Sequence, residues 1–118
     1  MPQGSLTYRR GEIRWVRLDP TIGAEAQKTP SCLVVQNNLM NQHGLLTVVM
    51  PFLPGRKQAP YVVNVTASPA NGLDRDRYID VGQIRAIDNS RVLGLVGILE
   101  DDYWEPIRAA LDVVLGFY

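Results

Sequence analysis

Cysteine and histidine are almost absent from this 118-residue sequence, which contains one of each, Cys32 and His43. A single cysteine excludes an internal disulfide, and no CxxC, HExxH or histidine pair indicates a zinc site. Cys32 lies in the apolar run CLVVQ with no charged residue beside it, which favours a small core residue over a nucleophile. No carboxylate lies near His43 in the sequence, which argues against a catalytic role for it. We therefore expect no metal and no cofactor.

Long hydrophobic runs are also missing. The longest, residues 45–53, is interrupted by Thr47 and Pro51, and the first residues lack the apolar stretch of a signal peptide. With 118 residues, of which 46% are hydrophobic, the chain can bury one core of its own. These features predict a single domain over residues 1–118, without a membrane segment and located in the cytoplasm.

An excess of charge of either sign is absent, because twelve basic residues balance twelve acidic ones. The charges are unevenly distributed, however. Residues 1–59 hold seven basic and three acidic side chains, whereas residues 60–118 hold five and nine. If folding keeps the two groups apart, a basic face is available to a phosphate backbone. The alternative is that the charges only solvate a mixed surface.

Short strands dominate the predicted secondary structure. Alternating or β-branched segments predict strands within residues 12–19, 32–36, 45–50, 61–66, 78–88 and 93–99, with an interruption at Gly82. The second and third are predicted to pair as an antiparallel hairpin around a polar loop at 37–44. Three prolines predict a surface loop at 51–60 that cannot join a central ladder. Six short strands at close spacing are typical of a small barrel.

The C-terminal segment has the clearest helical pattern. Asp101 is suited to the N-cap, and Pro106 indicates that the helix begins only a few residues before it. Trp15 and Trp104 each fall on the apolar side of a predicted element, which favours core packing over base stacking. The apolar helix positions recur at three- and four-residue spacing: Trp104, Ile107, Ala110, Leu111, Val114 and Leu115.

Five motifs extend over nearly the whole chain in a characteristic order: RGEIRWVRLDPTIGAE, KT, LVVQN, NGLDRD and VGQIRAID. In this order they resemble the MazF/PemK-type toxins of type II toxin-antitoxin systems. The resemblance implies a mainly β fold, an SH3-like or CcdB-like small β-barrel with a C-terminal α-helix. This expectation agrees with the strands and the helix predicted from the residue pattern.

The resemblance also implies a function, that of a metal-independent endoribonuclease. Toxins of this kind cut single-stranded RNA, often messenger RNA, at short sequences. The 2′-hydroxyl attacks the adjacent phosphate and leaves a 2′,3′-cyclic phosphate and a 5′-hydroxyl end, which requires a proton acceptor, a proton donor and stabilisation of the phosphorane. The family further implies a homodimer whose groove binds RNA, and a cognate MazE-like antitoxin that blocks this groove.

Two positions depart from the family pattern. The family usually has a catalytic arginine in the sequence Lys-Thr-Arg-Pro, whereas this chain has Lys28, Thr29 and then Pro30. The family also usually has a threonine shortly after its third strand, where this chain has Leu53. Neither Pro30 nor Leu53 has a proton to move, so cleavage requires other residues.

We consider three residues as catalytic candidates: Glu25, Lys28 and Arg56. Glu25 matches the acidic position of the family and is the candidate for abstracting a proton or orienting a base. Lys28 could donate a proton if its environment lowers its pKa. Arg56 could stabilise the phosphorane with two parallel hydrogen bonds.

Five further residues are expected to contact RNA: Thr21, Gly23, Lys57, Gln83 and Arg85. Thr21, Gly23 and Gln83 belong to the motifs that resemble the family, and Lys57 extends the basic loop that contains Arg56. Arg85 lies on the same alternating face as Gln83, although pairing with a nearby aspartate is an alternative.

Two alternative functions remain open at the level of sequence. The first is a related fold that binds RNA and has lost cleavage. The second is an inhibitor of DNA gyrase, as in the CcdB relatives of the same fold, which requires a protein partner instead of RNA.

Overall fold

The computed structural model describes residues 7–18 and 29–118. The predictions made for Thr21, Gly23, Glu25 and Lys28 lie outside the described residues. Within the described ranges the chain forms seven strands: β1 (Glu12–Val16), β2 (Ser31–Val34), β3 (Leu46–Pro54), β4 (Val62–Val65), β5 (Arg77–Asp80), β6 (Arg85–Asp88) and β7 (Val92–Ile98). The helices are α1 (Asn38–His43) and α2 (Trp104–Leu115), and 3₁₀ turns cover Val81–Gln83, Asn89–Arg91 and Asp101–Tyr103.

The strands form one antiparallel sheet in the order β4-β5-β3-β2-β1-β7, and β6 pairs with the first half of β3. The nine-residue strand β3 is central because it changes its neighbour: β2 pairs with it up to Pro51, and β5 pairs with it from Phe52 onward. The described strands do not close into a barrel through backbone pairing. Instead, the turn after β4 reaches the other end of the sheet, where the Ile98 N–H donates to the Ala70 carbonyl at 3.0 Å.

Both sides of this bent sheet are covered. One core cluster packs against α2 and includes Ile13, Leu33, Phe52, Ile79 and Ile107. A second cluster lies on the other side of the central strands and includes Val16, Cys32, Val34, Val49 and Ile87. The strands β1, β2 and β3 contribute to both clusters, and β2 and the middle of β3 are buried on both faces.

The predicted loop at 51–60 is wrong for its first four residues, which continue β3. Pro51 pairs with Cys32, and Pro54 pairs with Arg77. Pro51 lies where β3 changes its neighbour, and Pro54 is the last residue of the strand. At these two positions the missing N–H groups disrupt the hydrogen bonding between strands least.

The predicted hairpin of β2 and β3 is confirmed, but its connection contains a helix. Asn37 caps α1 by accepting a hydrogen bond from the Met40 N–H at 2.9 Å. Asn41, which is buried, accepts from Gln36 at 2.9 Å and from the Thr47 hydroxyl at 2.7 Å. These local side-chain bonds satisfy polar groups that a loop would leave to water.

The C-terminal helix is confirmed, although Asp101 does not cap it. Asp101 belongs to a 3₁₀ turn, and α2 begins at Trp104 after Tyr103, whose side chain makes no capping bond. Pro106 is in the first turn, as predicted. The helix ends at Gly116, whose left-handed backbone (φ 76°) allows its N–H to bond the last carbonyls.

The two tryptophans differ in burial. Trp104 packs against the core cluster beneath α2, and the Arg10 guanidinium carbon lies 3.8 Å from its ring centroid. Trp15 was predicted in the core, but it is 47% exposed. The register between β1 and β7 shifts on both sides of Arg14, so a simple alternation does not predict which way Trp15 faces.

Cys32 is buried, as predicted, and burial raises the pKa of its thiol to about 12. None of the helices in the described ranges has the length and apolar character needed to span a bilayer.

Candidate functional site

An open pocket of about 470 Å³ lies where β3 and β5 meet the 3₁₀ turn at Val81–Gln83. Its size is within the range of small-ligand sites. It brings together two of the predicted binding residues, Lys57 and Gln83, together with Leu53, where the chain departs from the expected threonine. The lining residues are Leu53, Lys57, Tyr61, Tyr78, Asp80, Gly82 and Gln83.

Strand register explains how the floor of this pocket is formed. Tyr78 on β5 pairs with Leu53 on β3 and with Asn64 on β4. Its neighbour Ile79 is fully buried, so alternation along β5 directs Tyr78 to the opposite face. The three strands therefore present Leu53, Tyr78 and Asn64 side by side on one surface.

Lys57 is fixed by its backbone and exposed at its side chain. The Lys57 N–H donates to Asn64 Oδ1 at 2.9 Å, and Asn64 Nδ2 donates to the Lys57 carbonyl at 2.9 Å. Its Nζ atom lies 5.2 Å from the Tyr61 ring centroid and 5.9 Å from that of Tyr78. Hydrogen bonding to Tyr61 is the largest cause that raises the Lys57 pKa above its ordinary value. The lysine therefore stays charged at neutral pH.

Asp80 organises the opposite wall. It is nearly buried, and its two carboxylate oxygens accept from the Gly82 N–H and from Gln83 Nε2, each at 3.0 Å. The first bond caps the 3₁₀ turn, and the second fixes the carboxamide of Gln83. Gln83 is thus held in one orientation at the pocket edge.

Arg56 lies next to Lys57 in sequence but does not line this pocket. Its Nη1 is 3.6 Å from Asp76 Oδ2, and both side chains are about half exposed. Exposed ion pairs of this kind contribute little to stability, so the guanidinium can leave Asp76 at small cost.

Arg85 is also separate from the pocket. It pairs with Val49 on β3, four residues before Leu53, which corresponds to roughly 13 Å along the strand. The two aspartates near it in sequence, Asp80 and Asp88, are the alternative partners, and both bond elsewhere. Asp80 accepts from Gly82 and Gln83, and Asp88 accepts from Ser90 at 2.9 Å. Within residues 7–18 and 29–118, Arg85 forms no ion pair.

Comparison with known proteins shows which family the chain resembles. The family described as "PemK-like, MazF-like toxin of type II toxin-antitoxin system" matches residues 9–115. The chain belongs to this toxin family. It is 27% identical over 112 residues to the endoribonuclease EndoA of Bacillus subtilis, covering 94% of this chain and 97% of that protein.

Solved structures of the toxin family share the fold. MazF from Deinococcus radiodurans superposes with a TM-score of 0.79 at 21% identity, covering 95% of this chain and 99% of that one. An endoribonuclease from a mycobacterial species, solved with its cognate antitoxin, superposes with a TM-score of 0.77 at 20% identity, covering 95% and 98%. The predicted SH3-like or CcdB-like architecture is thereby confirmed as a fold, with the sheet left open.

The family's usual arginine and threonine positions have structural roles in this member. The Pro30 carbonyl accepts from the Val16 N–H at 3.0 Å, which joins the residue before β2 to β1. Leu53 is half-buried and lies on the pocket floor beside Tyr78. At neither position does the side chain supply a proton donor or acceptor.

Sequence reasoning missed three residues that line the toxin's pocket, Tyr61, Tyr78 and Asp80, and also Asn64, which bonds the backbone of Lys57. The strand pattern contained one usable signal, since Tyr78 alternates with the buried Ile79 and an outward tyrosine is a common ligand contact. Tyr61 and Asn64 follow Lys57 closely in sequence, but their contacts with it depend on how the loop folds back onto β4, which residue patterns do not report.

The pocket can bind a ligand that is both anionic and planar. Lys57 supplies a permanent positive charge, two tyrosines supply aromatic faces, and Gln83 supplies an oriented amide. Because the Lys57 pKa is raised, this lysine is suited to electrostatic binding and poorly suited to proton donation near neutral pH. Among the described residues, no group of three His, Cys, Asp or Glu side chains is arranged to hold a metal ion.

Proposed function

We propose that this toxin cleaves single-stranded RNA, including messenger RNA, at short sequences and without a metal ion. Membership of the toxin family, whose Bacillus subtilis relative is named an endoribonuclease, is the observation that carries the proposal. The exposed ammonium of Lys57 in the pocket supports it, because binding of a phosphate backbone requires cationic contacts. Attack by the 2′-hydroxyl would leave a 2′,3′-cyclic phosphate and a 5′-hydroxyl end.

In this proposal Arg56 stabilises the phosphorane, Lys28 donates a proton and Glu25 accepts one. The exposed ion pair of Arg56 with Asp76 supports the role proposed for Arg56, because a phosphate of RNA can replace Asp76 as its partner at small cost. Lys57 and Gln83 bind the substrate in the pocket. Thr21 and Gly23 are proposed to contact RNA from their shared motif, and Arg85 to contact it outside the pocket.

The test is incubation of the pure protein with a long single-stranded RNA in EDTA, followed by chemical analysis of the new ends. We expect discrete fragments with 5′-hydroxyl termini. Arg56→Ala should lower the cleavage rate by about 100-fold or more, the usual effect of removing one transition-state donor. Arg75→Ala is the matched control, because Arg75 is similarly exposed and pairs with Asp74 at 3.5 Å.

The outcomes separate the alternatives. Binding of RNA without fragments from a folded protein would favour the non-cleaving function. Cleavage that persists in Arg56→Ala and Glu25→Ala would refute the proposed chemistry and leave the activity standing. The gyrase alternative is not favoured, because the relatives are named endoribonucleases.

We also propose a homodimer that acts in the cytoplasm, where messenger RNA is available. Exposed apolar side chains around α1 and the start of β3 support a self-association surface: Leu39, Met40, Leu45 and Leu46 are 53–78% exposed. Leu45→Glu should yield a monomer in light scattering. Leu115→Glu, on the exposed side of α2, is the matched control and should remain dimeric.

An acidic antitoxin is the proposed protein partner. The mycobacterial structural relative was solved with its cognate antitoxin, which supports this assignment. A disordered acidic tail would compete with RNA for the ammonium of Lys57. Co-expression with a cognate antitoxin should restore growth, and the purified complex should no longer bind RNA.

A further inference from the structure

Two tyrosine rings, those of Tyr61 and Tyr78, lie beside Lys57 in the pocket. A site that binds only an anion would not require aromatic rings. Tyr78 lies on β5 between its partners Leu53 and Asn64, so its position is set by the centre of the sheet. Tyr61 precedes β4, and its carbonyl accepts from the Val81 N–H at 3.1 Å. The backbone of both tyrosines is therefore fixed by hydrogen bonds of the fold.

The space beside these rings is open. Lys57 is the residue that lies over both ring faces, and it is exposed, so its four-carbon stem can move aside. A side chain is missing at Gly82, where a Cβ atom would lie 3.7 Å from Cδ1 of Tyr61 and 3.2 Å from Asp80 Oδ1. The glycine thus leaves the approach to Tyr61 free.

The anchoring of Lys57 fixes where its charge can reach. Because Asn64 bonds both backbone groups of Lys57, the start of its side chain is held against β4 next to Tyr78. The ammonium can therefore reach a phosphate that lies close to the two rings. Such a spacing matches a nucleotide, in which a base and its phosphate are joined through one sugar.

We propose that Tyr61 and Tyr78 form a stacking subsite for one unpaired base of the RNA, and that Lys57 holds the phosphate next to that base. The subsite rests on the proposed RNA function and deepens it. An aromatic ring stacks on any base that is free of a duplex, so this subsite selects single-stranded RNA at that nucleotide. An acidic peptide, in contrast, would bind through the charge of Lys57 and would not depend on the tyrosine rings.

The test uses a short fluorescein-labelled 2′-O-methyl RNA, which lacks the attacking hydroxyl and is not consumed, and an abasic oligomer with the same number of phosphates. Tyr78→Leu should weaken binding of the base-containing oligomer by about tenfold, the order expected for one lost stack, and leave the abasic oligomer unaffected. Tyr78→Phe keeps the ring and should bind within about twofold of the original protein. Tyr61→Leu should behave as Tyr78→Leu does.

Lys57→Gln supplies the complementary result. It should weaken both oligomers to the same degree and reduce the slope of log K against log salt by about one. Thermal unfolding of each variant shows whether the fold is intact, and Tyr78→Phe separates loss of the ring from loss of the hydroxyl.

Three results would overturn the stacking subsite. Equal losses for the two oligomers in Tyr78→Leu would indicate a structural role of the ring. Normal binding in both tyrosine-to-leucine variants, with weakened binding in Lys57→Gln, would indicate an anion site of the kind a peptide uses. Absence of binding by the original protein would reject the subsite together with RNA as the ligand. Ring-dependent binding without any cleavage of ordinary RNA would confirm the subsite and reject only the proposed cleavage.

Discussion

The carboxamide of Asn64 holds the backbone of Lys57 through both of its polar atoms. Oδ1 accepts from the Lys57 N–H and Nδ2 donates to the Lys57 carbonyl, each at 2.9 Å. The Asn64 side chain thus satisfies the backbone N–H and carbonyl of Lys57, as a neighbouring strand would, although Lys57 lies in an exposed loop. Exposed loops usually sample many conformations, and these two bonds restrict this one so that the Lys57 side chain starts beside Tyr78.

Replacing Asn64 should therefore affect both stability and RNA binding. Asn64→Ala removes two hydrogen bonds, and we expect a loss of about 1–2 kcal/mol in the free energy of unfolding. Binding of a non-cleavable RNA should weaken, because Lys57 is no longer preordered. Urea unfolding and fluorescence anisotropy measure the two effects. Asn64→Asp keeps only the acceptor and should be intermediate in binding; binding equal to that of the original protein in both variants would contradict the preordering.

Glu100 should make stability depend on pH in the acid range. Its carboxylate accepts from the Ser68 hydroxyl at 2.6 Å and from Asn71 Nδ2 at 3.1 Å, and the bond from Ser68 is the main cause that lowers its pKa below the ordinary 4.5. A depressed folded-state pKa stabilises the fold above pH 4.5, and this contribution is lost as the pH falls through the folded-state pKa.

The measurement is the urea midpoint as a function of pH for the original protein and for Glu100→Gln. The difference between them should be largest near neutrality and should shrink as the solution is acidified. The lowered pKa values of Asp74 and Asp88 act equally in both proteins and cancel in this difference. Asp102→Asn, at an exposed neighbouring position, is the control. A constant difference across the acid range would show that the charge of Glu100 is not responsible.

Gly97 should tolerate no side chain. A Cβ atom there would collide with the carbonyl carbon and oxygen of Asn71, which belong to the turn that joins the ends of the sheet. Because both colliding groups are backbone, Gly97→Ala should lower the free energy of unfolding by about 2–3 kcal/mol or more. Gly94→Ala is the control on the same strand, since the nearest atom would be 3.8 Å away. Equal stability of the two variants would mean that this turn can move away from β7.

Cys32 should be inert in the folded protein. It is buried, and burial raises the pKa of its thiol to about 12, so very little thiolate is present at neutral pH. We expect a disulfide reagent to react with it only as fast as the protein unfolds. The rate should rise with urea in parallel with the loss of structure. Fast reaction in the native state would place Cys32 near the surface.

Local patterns predicted much of this fold. Alternation and β-branched residues indicated the strands, and the spacing of apolar residues indicated α2, because these signals depend on neighbours in sequence. The same reasoning failed where partners were distant. Pro51 enters β3 because β3 changes neighbours there, and Trp15 is exposed because the register of β1 shifts against β7.

The candidate site shows the same division. The basic loop and the family motifs indicated Lys57 and Gln83, which the fold does bring together, and they also indicated Arg56 and Arg85, which lie outside the pocket. Motifs identify residue types along the chain. They do not report that Arg56 pairs with Asp76, because that contact spans a turn and a strand.

The sequence by itself determined the fold class, the burial of Cys32 in the core and the toxin family, since these follow from residue types and their order. Only the tertiary structure decided that Asn64 anchors Lys57 between Tyr61 and Tyr78, and that Asp80 orients Gln83. The physical reason is that a pocket depends on strand register and side-chain direction. Both are set by long-range backbone hydrogen bonds, which no local pattern contains.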